Sequence, residues 1–146
     1  MLEITRQADY ALRATLEVAR LEEGERIATA EVATRQDIPL PFLAKIVSQL
    51  VVRGILDATR GAGGGISLAR EPKDITMLEV VEAIDGPIAL NRCTRDSSNC
   101  QFSPVCPVCE VFVDMQTLLV ERMESITFDQ LIERQGELLS QGSIMP

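Results

Sequence analysis

The sequence predicts a mostly helical protein with one small β-hairpin, arranged as a winged helix-turn-helix followed by a long dimerisation helix. Three observations predict this class. Apolar residues recur at helical spacing through most of the chain. Two short strand-like runs flank a glycine-rich stretch at residues 60–65. A late helix carries more apolar surface than one small core needs, which a partner helix would explain.

The first half of the chain follows the order helix, short helix, turn, helix. Residues 5–21 form an amphipathic helix, and a short second helix follows Thr29, a candidate N-cap. Asp37-Ile38-Pro39 breaks the second helix, and Pro41 suits the first turn of the third. Gly54 stands where a left-handed residue would end the third helix. This order predicts a helix-turn-helix.

The elements after the third helix complete the prediction. Residues 55–59 and 66–68 form the hairpin, whose glycine-rich loop is the wing. Thr76 and Glu79 predict a capping box at the start of a fourth helix. A polar, cysteine-bearing loop precedes the long helix, which runs from Pro107 to about residue 124. On this long helix, Val120 lies off the apolar stripe. A last helix starts after Thr127. Residues 137–146 are expected to be a loose tail.

Charge is unevenly distributed along the chain, whose formal net charge is −8. Residues 1–72 hold nine basic and ten acidic side chains, whereas residues 73–146 hold five and twelve. Within residues 35–70 the count is five basic against two acidic, so the predicted DNA-reading region is locally positive. The absence of histidine removes the usual general base, and no catalytic acid pair is evident, so we do not expect an enzyme. No stretch is apolar enough to span a membrane, and we expect a cytoplasmic protein.

All four cysteines lie close together, with the spacing C-x6-C-x5-C-x2-C. Clustered thiolates hold iron–sulfur clusters and many zinc sites. An iron–sulfur cluster is favoured over zinc, because zinc sites usually contain two closely spaced pairs of ligands and only Cys106 and Cys109 form such a pair here. Reversible thiol chemistry is the third interpretation. Structural disulfides are disfavoured in a cytosolic protein. The candidate metal ligands are Cys93, Cys100, Cys106 and Cys109.

Candidate DNA-contacting residues lie on the polar face of the third helix and on the wing. A helix face of this kind can enter a major groove, and an arginine on a glycine-rich wing can enter a narrow minor groove. The alternative interpretation without a function is that the polar face of the third helix is only a solvated surface and that the glycine-rich loop is only a flexible hairpin tip. The candidates are Pro41, Phe42, Lys45, Ser48, Gln49, Arg60, Gly61 and Gly63.

Several of these motifs together resemble the iron–sulfur winged-helix transcription regulators of the IscR/NsrR type. The resemblance covers nearly the whole chain and rests on Asp9-Tyr10-Ala11-Leu12-Arg13, on Ile38-Pro39 with Phe42-Leu43 and Lys45-Ile46, on the wing at 60–65, on Val80-Val81-Glu82-Ala83-Ile84, and on three cysteines before the long helix.

The resemblance implies a homodimer joined through the long helix and a double-stranded DNA operator with inverted-repeat symmetry. It implies a [2Fe–2S] cluster, with [4Fe–4S] as the alternative, and matches Cys93, Cys100 and Cys106 to three ligands. Where the IscR-like branch often has a histidine as fourth ligand, this chain has Cys109. Asp9 of the partner subunit is the alternative, because other branches recruit a carboxylate from the first helix.

We therefore expect a transcription regulator, more often a repressor, whose operator affinity is set by a cluster that senses iron–sulfur, redox or nitrosative status. The alternatives are a zinc- or thiol-based winged-helix regulator, or a metal-cluster module that binds proteins instead of DNA. The expected organisation is DNA binding in residues 1–72, the cluster loop and dimerisation helix in 73–136, and a flexible tail in 137–146.

Overall fold

The structure is a computed structural model that describes residues 1–142. Its helices and its two-stranded antiparallel sheet follow the predicted order and confirm the fold class. The helices are α1 (Arg6–Ala19), α2 (Thr29–Gln36), α3 (Leu40–Val52), α4 (Met77–Asp85), α5 (Arg92–Arg95), α6 (Pro107–Glu124) and α7 (Phe128–Ser140). The strands are β1 (Leu56–Thr59) and β2 (Gly65–Leu68), and short 3₁₀ turns lie at Pro72–Asp74, Ser97–Asn99 and Ser103–Val105.

A tight turn joins α2 to α3. Asp37 adopts a left-handed conformation with φ 52°, and the Ile38 backbone N–H donates to the carbonyl of Ala33 at 2.9 Å. The buried Ile38 side chain then fixes the turn on the core, and Pro41 lies in the first turn of α3, where its missing N–H costs nothing. These contacts form the predicted helix-turn-helix.

The hairpin pairs Leu56 with Leu68 at one end and Thr59 with Gly65 at the other. An isolated bridge between Ile27 and Ile66 attaches β2 to the linker between α1 and α2. A Cβ atom on Gly65 would lie 2.6 Å from the Ile27 carbonyl oxygen, and Gly65 has φ 138°. Only glycine permits this close approach, so the base of the wing is fixed to the helix-turn-helix.

Helix α7 adds to the core of the N-terminal half of the chain. Phe128, the first residue of α7, is fully buried and belongs to the same core cluster as side chains of α1, α3 and the hairpin. Its backbone N–H donates to the Ile75 carbonyl at 3.1 Å, and the Met77 N–H donates to the Ile126 carbonyl at 2.8 Å. The N-terminal ends of α4 and α7 are thereby held side by side.

Several local predictions differ from the structure. Thr29 is the first residue of α2 instead of its N-cap, because the bridge at Ile27 keeps the chain extended through Ala28. Helix α7 continues to Ser140, beyond the predicted start of the tail, and residues 143–146 of that tail lie outside the described residues. Among residues 1–142, no helix has the length and apolar content that crossing a membrane requires.

Candidate DNA interface and cysteine pocket

The outer face of α3 is available to a ligand. The inner face buries Leu43, Ile46, Val47 and Leu50. The predicted contacts Pro41, Phe42, Lys45 and Ser48 are all exposed on the other side. Gln49 differs from them: it is half-buried, and its Oε1 atom is shielded from solvent without a hydrogen-bond partner among the described residues. Gln49 would therefore have to change rotamer before that oxygen reached a base.

The wing places Arg60, Gly61 and Gly63 at an exposed tip. The Gly64 N–H donates to the Gly61 carbonyl at 2.9 Å, and a Cβ on Gly64 would lie 2.4 Å from the Thr59 carbonyl oxygen. The tip is thus a tight turn that requires glycine. Its small cross-section lets the wing backbone approach a surface closely and carries the Arg60 guanidinium with it.

Lys45 and Arg60 form no ion pair with any acidic group among residues 1–142. Both side chains are exposed, one on α3 and the other on the wing. Uncompensated cations on two neighbouring elements suit a phosphate backbone, which gains affinity from released counterions when such groups bind. The arrangement matches the locally positive charge of this part of the sequence.

Three of the four cysteines line one open pocket of about 730 Å³ at the start of α6. Cys93 comes from α5, while Cys106 and Cys109 come from the residue before α6 and from its first turn. Pro107 starts α6 and places Cys106 and Cys109 about one turn apart. The tertiary fold therefore joins the close pair predicted from the sequence to the more distant Cys93.

Cys93 and Cys109 are neighbours in the lining of this pocket. The interaction with Cys109, followed by burial, raises the pKa of Cys93 above its ordinary value. Cys109 is buried, whereas Cys93 and Cys106 are half-buried.

The remaining candidate ligands lie apart from this pocket. Cys100 is half-buried between two 3₁₀ turns and does not line the pocket. Asp9 is on α1, where it forms an ion pair with Arg13 at 3.5 Å. Within residues 1–142, no three histidine, cysteine or carboxylate side chains are gathered closely enough to hold a metal ion.

The chemistry of the pocket nevertheless fits a thiolate-ligated group. Three cysteines line an open space that a small cluster could enter. The hydroxyl of Ser103, another lining residue, is shielded from solvent without a hydrogen-bond partner among the described residues. Hydrogen bonds to sulfur are one means by which proteins tune iron–sulfur clusters. Bringing Cys100 into the same group requires movement of the segment between α5 and α6.

Sequence reasoning missed one charged residue that the structure places in the core. Glu17 on α1 is only 6% exposed. The signal was present in the helical spacing, because Glu17 follows the buried Ala14 by three residues and precedes the buried Val18. The prediction of an amphipathic helix over residues 5–21 did not assign Glu17 to its buried face.

A family model described as "Rrf2: Iron-dependent Transcriptional regulator" matches residues 4–134. Among curated proteins, the chain is 32% identical over 137 residues to a putative HTH-type transcriptional regulator rrf2-like of Rhodobacter capsulatus, covering 88% of this chain and 91% of the relative. It is 29% identical to the HTH-type transcriptional regulator IscR of Escherichia coli, covering 94% of this chain and 84% of the relative.

Solved structures show the same fold. CymR, described as the global cysteine regulator of B. subtilis, superposes with a TM-score of 0.77 at 24% identity, covering 92% of this chain and 98% of CymR. IscR of T. potens superposes with a TM-score of 0.75 at 22% identity, covering 92% of this chain and 88% of that protein. At this level of identity the two structures support the architecture alone.

Proposed function

The chain belongs to the Rrf2 family of transcriptional regulators, and from this premise we propose that an iron–sulfur cluster bound at the cysteine pocket sets its affinity for DNA. Its relatives are DNA-binding regulators and not enzymes. The observation that carries the proposal is the convergence of Cys93, Cys106 and Cys109 on one open pocket. The family description as iron-dependent and the similarity to IscR support it.

In this proposal Cys93, Cys100 and Cys106 hold the group as thiolates, and Cys109 supplies the fourth sulfur. A cluster of this kind supplies electron transfer and reactivity toward oxidants, with [2Fe–2S] favoured over [4Fe–4S]. The cysteines must release their protons on binding, so loading should be weaker at low pH. Asp9 of the partner subunit is the alternative fourth ligand.

A packed route connects the pocket with the DNA-reading half. Gln116 of α6 accepts a hydrogen bond from the Leu90 N–H at 3.0 Å, which holds the segment before α5 against α6. Further along α6, Met123 packs with Ala8 of α1 and with Leu78 and Val81 of α4. A change in the position of α6 would therefore be transmitted to α1 through apolar contacts.

We further propose that α6 joins two copies of the chain. Its exposed residues Val108, Val111, Met115 and Leu118 recur at the three- and four-residue spacing of a coiled-coil seam. Val120, which the sequence placed off the apolar stripe, instead packs inward against the cluster of Ala8 and Met123. An identical α6 is a suitable partner for the outer seam, because a two-fold contact is self-complementary.

The proposed DNA complex follows from that symmetry. Residues 1–72 read DNA, with α3 in the major groove and the Arg60 wing in the adjacent minor groove, while residues 73–136 bind the cluster and dimerise. The contacts would come from Pro41, Phe42, Lys45, Ser48, Gln49, Arg60, Gly61 and Gly63. A two-fold dimer should select inverted repeats whose half-sites lie about 34 Å, or a multiple of that distance, apart.

The test begins with protein purified without oxygen. We expect visible absorption, iron and acid-labile sulfide, and a difference in operator affinity between loaded and cluster-free protein on a site chosen by selection from random DNA. Colourless protein that contains zinc would replace this proposal with a zinc-based regulator. Selection that returns no preferred DNA would favour the protein-interaction alternative.

A thiol-based regulator is the second candidate, and the presence of Cys93 and Cys109 in the lining of one pocket favours it. In this case two thiols would be oxidised to a disulfide, with their two hydrogens and two electrons passing to an oxidant such as hydrogen peroxide. A solved structure of the same fold is titled Staphylococcus aureus CymR oxidized form. Operator affinity that responds to peroxide in iron-free protein would favour this candidate.

A further inference from the structure

Helix α2 buries little apolar surface against the rest of the protein. Of its residues only Val32 and Ala33 are buried. Because dispersion and hydrophobic contacts scale with buried area, two small side chains specify the position of a helix weakly. The orientation of α2 matters, since the tight turn at Asp37 connects its C-terminal end directly to α3.

A network of polar side chains fixes the position of α2 against α1. Glu17 of α1 accepts a hydrogen bond from Arg35 Nη1 at its Oε1 atom and one from Gln36 Nε2 at its Oε2 atom, each at 2.9 Å. Arg20 lies 3.6 Å from Oε2. Arg13 of α1 also donates to the backbone carbonyl of Gln36. Both carboxylate oxygens are therefore occupied, and two of the donors are the last two residues of α2.

Glu17 and Arg35 differ in how deeply their side chains are buried. The Glu17 side chain is 7% exposed, whereas that of Arg35 is 50% exposed and also contacts Glu31 of its own helix. A buried carboxylate with directional partners fixes geometry well, although it adds little net stability compared with an apolar residue of the same size. The buried charge of Glu17 therefore points to a role in positioning α2.

We propose that Glu17 is a positioning residue for DNA recognition, which fixes the end of α2 against α1 and thereby sets the angle at which α3 meets DNA. The inference rests on the DNA binding of the family and is independent of any cluster. Glu17 lies on the inner side of α1 and does not contact DNA in this proposal. Its effect passes through Arg35 and Gln36 to the turn at Asp37.

The central variant is Glu17→Met, which removes the charge and approximately keeps the volume. The Arg35 side chain left behind is 50% exposed and still pairs with Glu31, so its charge is not left buried and unpaired, and the melting temperature should change little. Affinity for a selected operator should fall by about 2- to 30-fold, the range expected when a coupling contact is lost. Affinity for random DNA and the salt dependence should remain, because no phosphate contact is removed.

Glu31→Gln is the matched control. It removes a carboxylate from the same Arg35, but that contact lies within α2 and does not join it to α1. This variant should keep its preference for the operator over random DNA. In addition, Glu17→Gln and Arg35→Gln should have strongly non-additive effects on operator affinity, because the two residues act through one contact.

A Glu17→Met protein that folds and keeps the wild-type preference for the operator overturns the proposal. An equal loss in Glu31→Gln overturns it as well, since charge removal alone would then explain the effect. If Glu17→Met does not fold, Arg35→Gln takes its place against the same control: a lower operator preference at an unchanged melting temperature supports the proposal, and an unchanged preference refutes it.

Discussion

Cys93 on α5 shares one pocket with Cys109 in the first turn of α6, although the two residues are distant in sequence. The pair lines one pocket together with Cys106, while Cys100 does not line it. The cysteine chemistry of this protein is therefore organised around a pair that is distant in sequence. The close sequence pair Cys106 and Cys109 is only part of it.

Peroxide oxidation of the cluster-free protein should link Cys93 to Cys109. The reason is proximity, since Cys93 and Cys109 line one pocket and a disulfide forms readily only between cysteines that can meet without a large backbone movement. Peptide mapping by mass spectrometry after alkylation measures the linkage. Cys100→Ser is the control and should leave the product unchanged. Predominant linkage of Cys100 to Cys106 would contradict this prediction.

Cys109→Ser should weaken or abolish the visible spectrum after anaerobic reconstitution, because Cys109 is our proposed fourth ligand. Asp9→Ala should leave the spectrum unchanged, since Asp9 pairs with Arg13 on its own helix. Iron counts and absorption spectra measure both outcomes. The opposite result would assign the ligand to Asp9 of the partner subunit and tie the DNA-reading half directly to the cluster.

Val111→Asp with Leu118→Asp should convert a dimer into a monomer. Both residues are exposed on the outer seam of α6, and each buried aliphatic side chain contributes about 1.5–3 kcal/mol to an interface. Sedimentation velocity measures the mass. Leu139→Asp on α7 introduces the same charge at another exposed leucine and should leave the dimer intact. A double variant that remains dimeric would show that the interface lies elsewhere.

Arg60→Ala should lose most affinity for operators with an A·T-rich, narrow minor groove, where negative potential attracts a guanidinium. Lys45→Ala should instead weaken binding more evenly and lower the salt slope by about one unit if it contacts phosphate. Titrations at several salt concentrations separate the two. Lys73→Ala, an exposed lysine paired with Glu71 away from the wing, serves as the control. Unchanged titrations for both variants would refute the docking arrangement.

The capping box of α4 should make stability pH-dependent. Burial raises the pKa of Glu79, but hydrogen bonds from the Thr76 backbone N–H and from Arg70 outweigh it and hold this pKa below its ordinary value. The contribution is therefore complete above the unfolded-state pKa and is lost as pH falls through the lower, folded-state pKa. We expect about 0.5–1 kcal/mol, reduced by solvent screening at this partly exposed site.

Chemical denaturation of wild type and Glu79→Gln measures that contribution. The stability difference between the two proteins should be present at neutral pH and should shrink as the solution becomes acidic. A difference that stays constant across this range would show that the Glu79 charge does not matter. Glu71→Gln, outside the capping box, provides a control for the change in net charge.

The sequence by itself determined the longer helices and the hairpin, whereas the four-residue α5 lies in the segment that was predicted as a loop. These elements carry local signals: Thr76 with Glu79 caps α4, Pro107 begins α6, and apolar residues repeat with the helical period. Each signal involves residues within a turn or two of one another. The order of the elements then predicted the helix-turn-helix and its wing, as the structure confirms.

Only the tertiary structure decided which distant residues meet. It brought Cys93 into one pocket with Cys109, turned Val120 inward while leaving Leu118 exposed, and placed Glu17 in the core against the end of α2. Periodicity defines the faces of a helix but does not determine which face a neighbouring element covers. That choice depends on how the chain folds back on itself, and it is made by packing between segments far apart in sequence.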